Sequence, residues 1–295
     1  RARSRRVSAT VRLGVSLDFG AAPGDDPVAA ARHAEELGFD LVVLSDHLNG
    51  ERSTVEPLSA LAFVLAATDA VVAVPVVLAL PYRHPAVLAK MAAEIDRRAP
   101  GRLIVGLGGG GGDTELRAFG MDVWRAGEKV RRQREAIELM RGLWTTPRCC
   151  YKGRHYRLED ATLSPRPAAP LPIWTGAWGP RALAMTGELA DGWATSLYRF
   201  PLAEACRMRE RVVSAALAAG RDPAALAYVY NLNVLVDERA RPDARLIAGD
   251  PERVAEQVAC VLAAGFDHLV FRFVGPHREQ RERLAREVLP RLGLA

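Results

Sequence analysis

Residues Ala34–Leu48 read AEELGFDLVVLSDHL, and the fold turns on this stretch. A helix-spaced segment closes at Gly38, where a chain leaving a helix in a left-handed conformation favours glycine, and an apolar run from Asp40 to Leu44 follows at once. That run delivers Ser45, Asp46 and His47 to its carboxyl end. The same junction recurs as VLAAGFD at Val261–Asp267, again ahead of an apolar run. The echo points to a repeated unit in which a helix feeds a buried strand.

Working outward, short β-branched runs alternate with longer helix-spaced stretches eight times. The strand-like runs are Val11–Leu17, Asp40–Leu44, Val71–Leu80, Arg102–Leu107, Pro172–Thr175, Gly192–Thr195, Ala227–Val236 and His268–Phe273. Helices are expected near 27–37, 54–68, 85–97, 127–143, 179–189, 201–219, 250–264 and 277–291. Asp26-Pro27 and Asp250-Pro251 place an N-cap before a first-turn proline, while Gly38 and Gly265 supply the stops. Continuous apolar runs are what parallel strands look like when helices cover the sheet. Eight such units predict an α/β fold, a TIM (β/α)8 barrel with an insertion before the fifth strand, at about 145–171. A doubly wound open sheet is the alternative. Residues 1–10 are expected to form a basic disordered arm, and 11–295 a single barrel domain.

The 295 residues are 49% hydrophobic and 25% charged, enough for one large core. The longest apolar runs, such as Val71–Leu80, fall short of the roughly 18 to 20 residues that span a bilayer, and no apolar segment follows the N-terminal arginines as a signal peptide requires. Cys149, Cys150, Cys206 and Cys260 have neither a disulfide-framework density nor metal-site spacing, so a reduced, cytoplasmic chain without metal is expected. The net charge is +5, carried almost entirely by arginine, since Lys90, Lys129 and Lys152 are the only lysines. The arginines are spread over helices beside matching acids, which argues against nucleic acid as a partner.

In a barrel of this kind, chemistry gathers where the strands end. Asp46-His47 puts an acid and an imidazole there, and an imidazole can exchange a proton or hydrogen-bond a redox cofactor near neutral pH. Gly108–Gly112, five consecutive glycines after the fourth strand, form either a flexible loop or a backbone surface against a ligand. Thr175, Gly176, Ala177 and Trp178 end the fifth strand just before a helix whose free N–H groups could seat a phosphate. Phe19, Tyr198 and Arg272 are candidates to line a substrate cavity. His84, ahead of a helix, is expected to be structural.

Taken together, these segments resemble the bacterial-luciferase-like flavin and deazaflavin oxidoreductases. The resemblance runs from Leu13 to about Phe273. It rests on Ala34–Leu48, on LPYRHPAVLAK at Leu80–Lys90, GRLIVGLGG at Gly101–Gly109, GRHY at Gly153–Tyr156, PRP at Pro165–Pro167, PIWTG at Pro172–Gly176 and DGW at Asp191–Trp193. It implies a small-molecule oxidoreductase with coenzyme F420 or FMN in the barrel mouth. By the same resemblance, Asp46 and His47 match the acid–histidine pair beside the ring, Asp46 orienting His47. Val76-Val77 matches a third-strand bulge behind the ring, often joined by a non-proline cis peptide, and Gly108–Gly110 with Gly176–Trp178 match the phosphate loops.

Departures separate the branches. Gly109 stands where the luciferases place an arginine against the FMN phosphate, and Ala177 and Pro180 stand where they have hydroxyl residues. These favour F420, with its longer acidic tail, over a two-component FMN monooxygenase. The branch's sugar-phosphate dehydrogenases carry a glutamate at the position of Gly109, which disfavours that substrate here. A separate flavin or F420 reductase and a homodimer are the partners the resemblance implies.

Overall fold

Each apolar run becomes a strand and each helix-spaced stretch a helix, in a computed structural model that describes residues 11–17, 26–48 and 55–294. The expected arm at 1–10 and the candidate Phe19 lie outside the described residues. The elements are β1 (Arg12–Ser16), α1 (Pro27–Glu36), β2 (Leu41–Leu44), α2 (Pro57–Ala67), β3 (Val72–Pro75), β4 (Leu78–Ala79), α3 (Pro85–Arg98), β5 (Val105–Gly108), α4 (Asp113–Ala118), α5 (Ala126–Thr145), β6 (Cys149–Lys152) and β7 (Arg157–Ala161). They continue with β8 (Ile173–Gly176), α6 (Pro180–Leu189), β9 (Gly192–Ser196), α7 (Leu202–Ala218), β10 (Ala227–Val236), β11 (Ile247–Gly249), α8 (Pro251–Ala263), β12 (His268–Phe273) and α9 (His277–Arg283).

The capping signals act as the sequence implies. Asp26 accepts the N–H of Val28 and Asp250 that of Arg253, each ahead of a first-turn proline. Gly38 and Gly265 leave their helices at φ of 83° and 86°. His84 caps α3, its Nδ1 accepting from the N–H of Ala86. The last expected helix is broken: α9 ends at Arg283, a π-helical turn covers Leu284–Val288, and a 3₁₀ turn containing Pro290 follows.

Strand neighbours run β3-β2-β1-β12-β10-β9-β8-β5-β4, every pair parallel. β3 and β4 are halves of one apolar run separated by Val76 and Val77, and Ala73 bridges to Leu103 just ahead of β5. The order therefore returns to where it began, and the sheet closes into a barrel. An open doubly wound sheet would leave two free edges, so that alternative is overturned. β11 pairs alongside β10, and β6 with β7 makes an antiparallel hairpin in the stretch before β8.

Alternation along the strands sorts the core into two layers. Leu41, Val43, Val74, Ile104, Trp174, Ala194, Val229 and Val270 fill the barrel interior. Their neighbours in sequence, among them Val42, Leu44, Trp193, Tyr230 and Phe271, face the helices. Because all strands share one direction, the residues after β2, β4, β5, β8, β9 and β12 gather at one mouth. A cleft of about 790 Å³ lies at the opposite end, where Arg141 pairs with Asp191 and His268 with Asp267.

Candidate active site

Asp46 and His47 leave β2 together but engage different partners. Asp46 is buried; its Oδ2 accepts the N–H of Ala79 at 2.8 Å and Nη1 of Arg83 at 2.6 Å, and its Oδ1 accepts Nη2 of Arg83 at 3.1 Å. The planar guanidinium matches the carboxylate with two donors. Arg83 also reaches Glu56, the residue that caps α2. Asp46 thus fastens β2 to β4 and to the turn behind it. Its described hydrogen bonds are to these donors, while the described side-chain partner of the His47 ring is a different acid.

The carboxylate that meets His47 comes from α4. Nδ1 of His47 lies 3.2 Å from Oε2 of Glu115, while Oε1 of Glu115 accepts the N–H of Leu48. Glu115 is buried, whereas the His47 side chain is 51% exposed. Tyr82 hydrogen-bonds the same carboxylate; its own burial, with Glu115 and Asp46 nearby, pushes the phenol well above its ordinary pKa, so it stays protonated. Glu115 and Tyr82 were not singled out by the sequence. The one local signal was an acid just inside a short helix that follows the glycine run.

The glycines answer to the bulge in the third strand. The Val76–Val77 peptide is cis. A Cβ added to Gly108 would lie 2.6 Å from Cγ2 of Val77, and one added to Gly176 would lie 3.0 Å from the same atom. Bare strand ends on β5 and β8 therefore let Val77 sit between them. The two candidate loops also meet, since Gly111 faces the ring of Trp178 at 3.8 Å from its Cβ position. Gly110 has a φ of 81°. At Gly109 a Cβ would come within 2.9 Å of the Lys129 Cβ, so this position has no room for a long side chain. Lys129 itself pairs with Asp113 at 2.6 Å.

Other candidates separate. Thr175 faces the helices: its hydroxyl is 2.7 Å from that of Thr186 on α6. Trp174 and Gly176 take the inward positions, so strand alternation removes the Thr175 side chain from the mouth. Ala177 is likewise buried in the outer layer, and its carbonyl accepts the indole N–H of Trp193 at 2.9 Å. Trp178 stays 44% exposed, with the Arg199 guanidinium 4.2 Å from its ring centre. Tyr198 is exposed after β9, with Arg245 over its ring at 5.5 Å. Arg272 shares the inward face of β12 with Val270, lies in register with Asn233 and is exposed at the mouth.

These contacts bring Asp46, Val76, Val77, Gly108–Gly110, Gly176 and Trp178 to one mouth, with His47 and Glu115 at its edge. The glycine strand ends admit Val77 between them, so this part of the mouth is built of Val77 and bare backbone, which fits a flat, phosphate-bearing cofactor. Among the described residues, no group of three or more His, Cys, Asp or Glu is placed to hold a metal ion.

Comparison with known proteins bears on the family and the fold. Residues 6–244 match the family described as luciferase-like monooxygenase. The chain is 32% identical to the F420-dependent glucose-6-phosphate dehydrogenase of Microbacterium testaceum (strain StLB037), over 88% of this chain and 90% of the relative. It is 33% identical to the F420-dependent hydroxymycolic acid dehydrogenase of Mycobacterium tuberculosis, over 77% of this chain and 64% of that one. In fold it is similar to an F420-dependent secondary alcohol dehydrogenase solved with an F420-acetone adduct, at a TM-score of 0.86 and 18% identity, covering 95% of this chain and 98% of the other. The chain belongs to the luciferase-like monooxygenase family, in its branch of F420-dependent oxidoreductases.

Proposed function

We propose that this protein is an oxidoreductase that moves a hydride between coenzyme F420 and a small organic substrate. The observation that carries this reading is the junction of Val77 with the bare strand ends Gly108 and Gly176, on the same barrel mouth to which β2 delivers His47, in a chain whose relatives are named as F420-dependent dehydrogenases. When bound, the deazaflavin supplies the hydride chemistry, and the protein supplies placement and electrostatics. Val76 and Val77 back the ring. Gly108–Gly110 and the backbone of Gly176–Trp178 border the phosphate, beside the first turn of α6, which has no side-chain cap. Arg131 and Arg181 both approach Gly127 nearby and add positive charge for the acidic tail. His47 exchanges the proton that accompanies hydride movement, while Asp46 and Arg83 hold the strand end that presents it. Tyr198 and Arg272 face the substrate.

The crowding at Gly109 also disfavours FMN, since an arginine there to meet its phosphate would first have to displace Lys129. The missing glutamate at that position no longer bears on a sugar-phosphate substrate, because Glu115 brings a carboxylate to His47 from α4 instead. We further read the protein as a homodimer in a reducing cytoplasm, with a separate flavin or F420 reductase as redox partner.

Titration with oxidised F420 and with FMN, followed by tryptophan quenching, tests the cofactor. Micromolar F420 binding without an FMN response is expected; the reverse pattern sinks the reading, and silence with both favours a cofactor-free binding protein. His47→Ala should keep F420 affinity and slow turnover by about a hundredfold or more; unchanged turnover would remove His47 from the chemistry.

A further inference from the structure

We infer that Glu115 is a positioning residue that fixes the tautomer of His47, so that Nδ1 carries the proton and Nε2 is the atom offered to the mouth. The geometry is built for this. Oε1 of Glu115 accepts the Leu48 N–H, which fixes the carboxylate against the backbone of the next residue, and Oε2 faces Nδ1 of His47 at 3.2 Å. A carboxylate has only acceptors, so the imidazole nitrogen facing it must be a donor. The neutral ring then keeps an unprotonated Nε2, the atom a proton acceptor needs, and an imidazolium formed by accepting a proton lies against a negative charge.

The last residue of the glycine run belongs to the same device. A Cβ at position 112 would lie 2.6 Å from Oε2 and 3.1 Å from Cβ of Glu115. Glycine at 112 is what lets the Glu115 side chain fold back toward β2 from α4. Among the described residues, Asp46 on the same strand end and Tyr82 and Arg83 on the turn after β4 also stand close to this pair. Asp46 and Arg83 neutralise each other, and Tyr82 is a neutral donor to Glu115, so none of these three opposes the protonation of Nδ1 that the Glu115 carboxylate favours.

This inference rests on the assignment of His47 as proton partner, and its test is chosen to stand apart from the cofactor. Nitrogen-15 NMR of histidine-labelled, cofactor-free protein above the pH at which the ring ionises should show His47 with Nδ1 protonated. In Glu115→Gln the single amide oxygen stays on the Leu48 N–H and the NH₂ group turns to His47, so the ring should switch to the Nε2-protonated form. With F420 and substrate, kcat of this variant should fall by about a hundredfold or more while KM and F420 affinity change by less than about twofold. Wild-type His47 protonated on Nε2, or a Gln variant that keeps both tautomer and kcat, overturns the inference. The wild-type spectrum decides the matter even if the variant fails to fold.

Discussion

At Gly106 a single methyl group would meet the barrel's own backbone. A Cβ there would stand 1.9 Å from the carbonyl oxygen of Pro75, the last residue of β3, where that strand bulges toward β5. Neither partner is a side-chain tip that can swing away, so the strands must part. Gly106→Ala is expected to lower stability by about 1 to 3 kcal/mol, read as a reduced urea midpoint at unchanged slope; a wild-type midpoint would show that closure tolerates the shift. At this scale the sequence was legible where chemistry and chain position coincide. Asp46, His47 and the glycine strand ends could be placed at the barrel mouth from the sequence, because strand ends form the mouth of a barrel. Glu115 was not, since the partner of His47 lies 68 residues away and no local pattern connects a helix acid to a strand-end imidazole. Thr175 was misplaced for a related reason: a four-residue strand carries too few side chains to fix which of them point inward.

At the scale of elements, the join between α1 and α9 carries a pH signature. His33 on α1 is buried, with Nε2 at 3.1 Å from Glu282 and Nδ1 accepting from Nε of Arg281 at 3.3 Å. Burial, then the nearby positive charges of Arg281 and Arg278, hold its pKa below the ordinary 6.5, with Glu282 acting in the opposite sense. A histidine that resists protonation only when folded leaves the unfolded chain binding more protons below that value. The contribution of His33 is therefore complete above about pH 6.5 and is lost as pH falls through the folded pKa. The urea midpoint should drop on going from pH 7 to pH 5, and His33→Gln should flatten that drop; an identical slope in both proteins would dissociate His33 from it. Elements were the most legible level, because helix caps and apolar periods are local. Where the reading differed, tertiary contacts decided. The third run is split at Val76 and Val77 to admit the bulge, α4 hides behind five glycines, and the last helix gives way at Leu284 to a π turn.

For the whole molecule, the apolar composition of α2 bears on assembly. Its sequence, PLSALAFVLAA, contains no charged residue, and a helix that is apolar all round is normally covered on every side. The barrel covers Leu58, Leu61, Val64 and Leu65, whereas Phe63 remains 71% exposed with Ala66 on the same outer side. Among the described residues, no helix is long and apolar enough to cross a membrane. Val87 on α3, the next helix of the barrel wall, is 55% exposed as well. Barrel closure could be foreseen from eight repeated units, since each unit must bury its sheet face. The outer face could not be interpreted from an alternation that reports only which side meets the sheet. The homodimer proposed above would cover this outer side if it pairs through α2. Sedimentation equilibrium should find a dimer for the wild type and a folded monomer for Phe63→Glu, with an unchanged far-ultraviolet spectrum. A monomeric wild type, or a variant that still pairs, would remove α2 from the interface and leave Phe63 without that explanation.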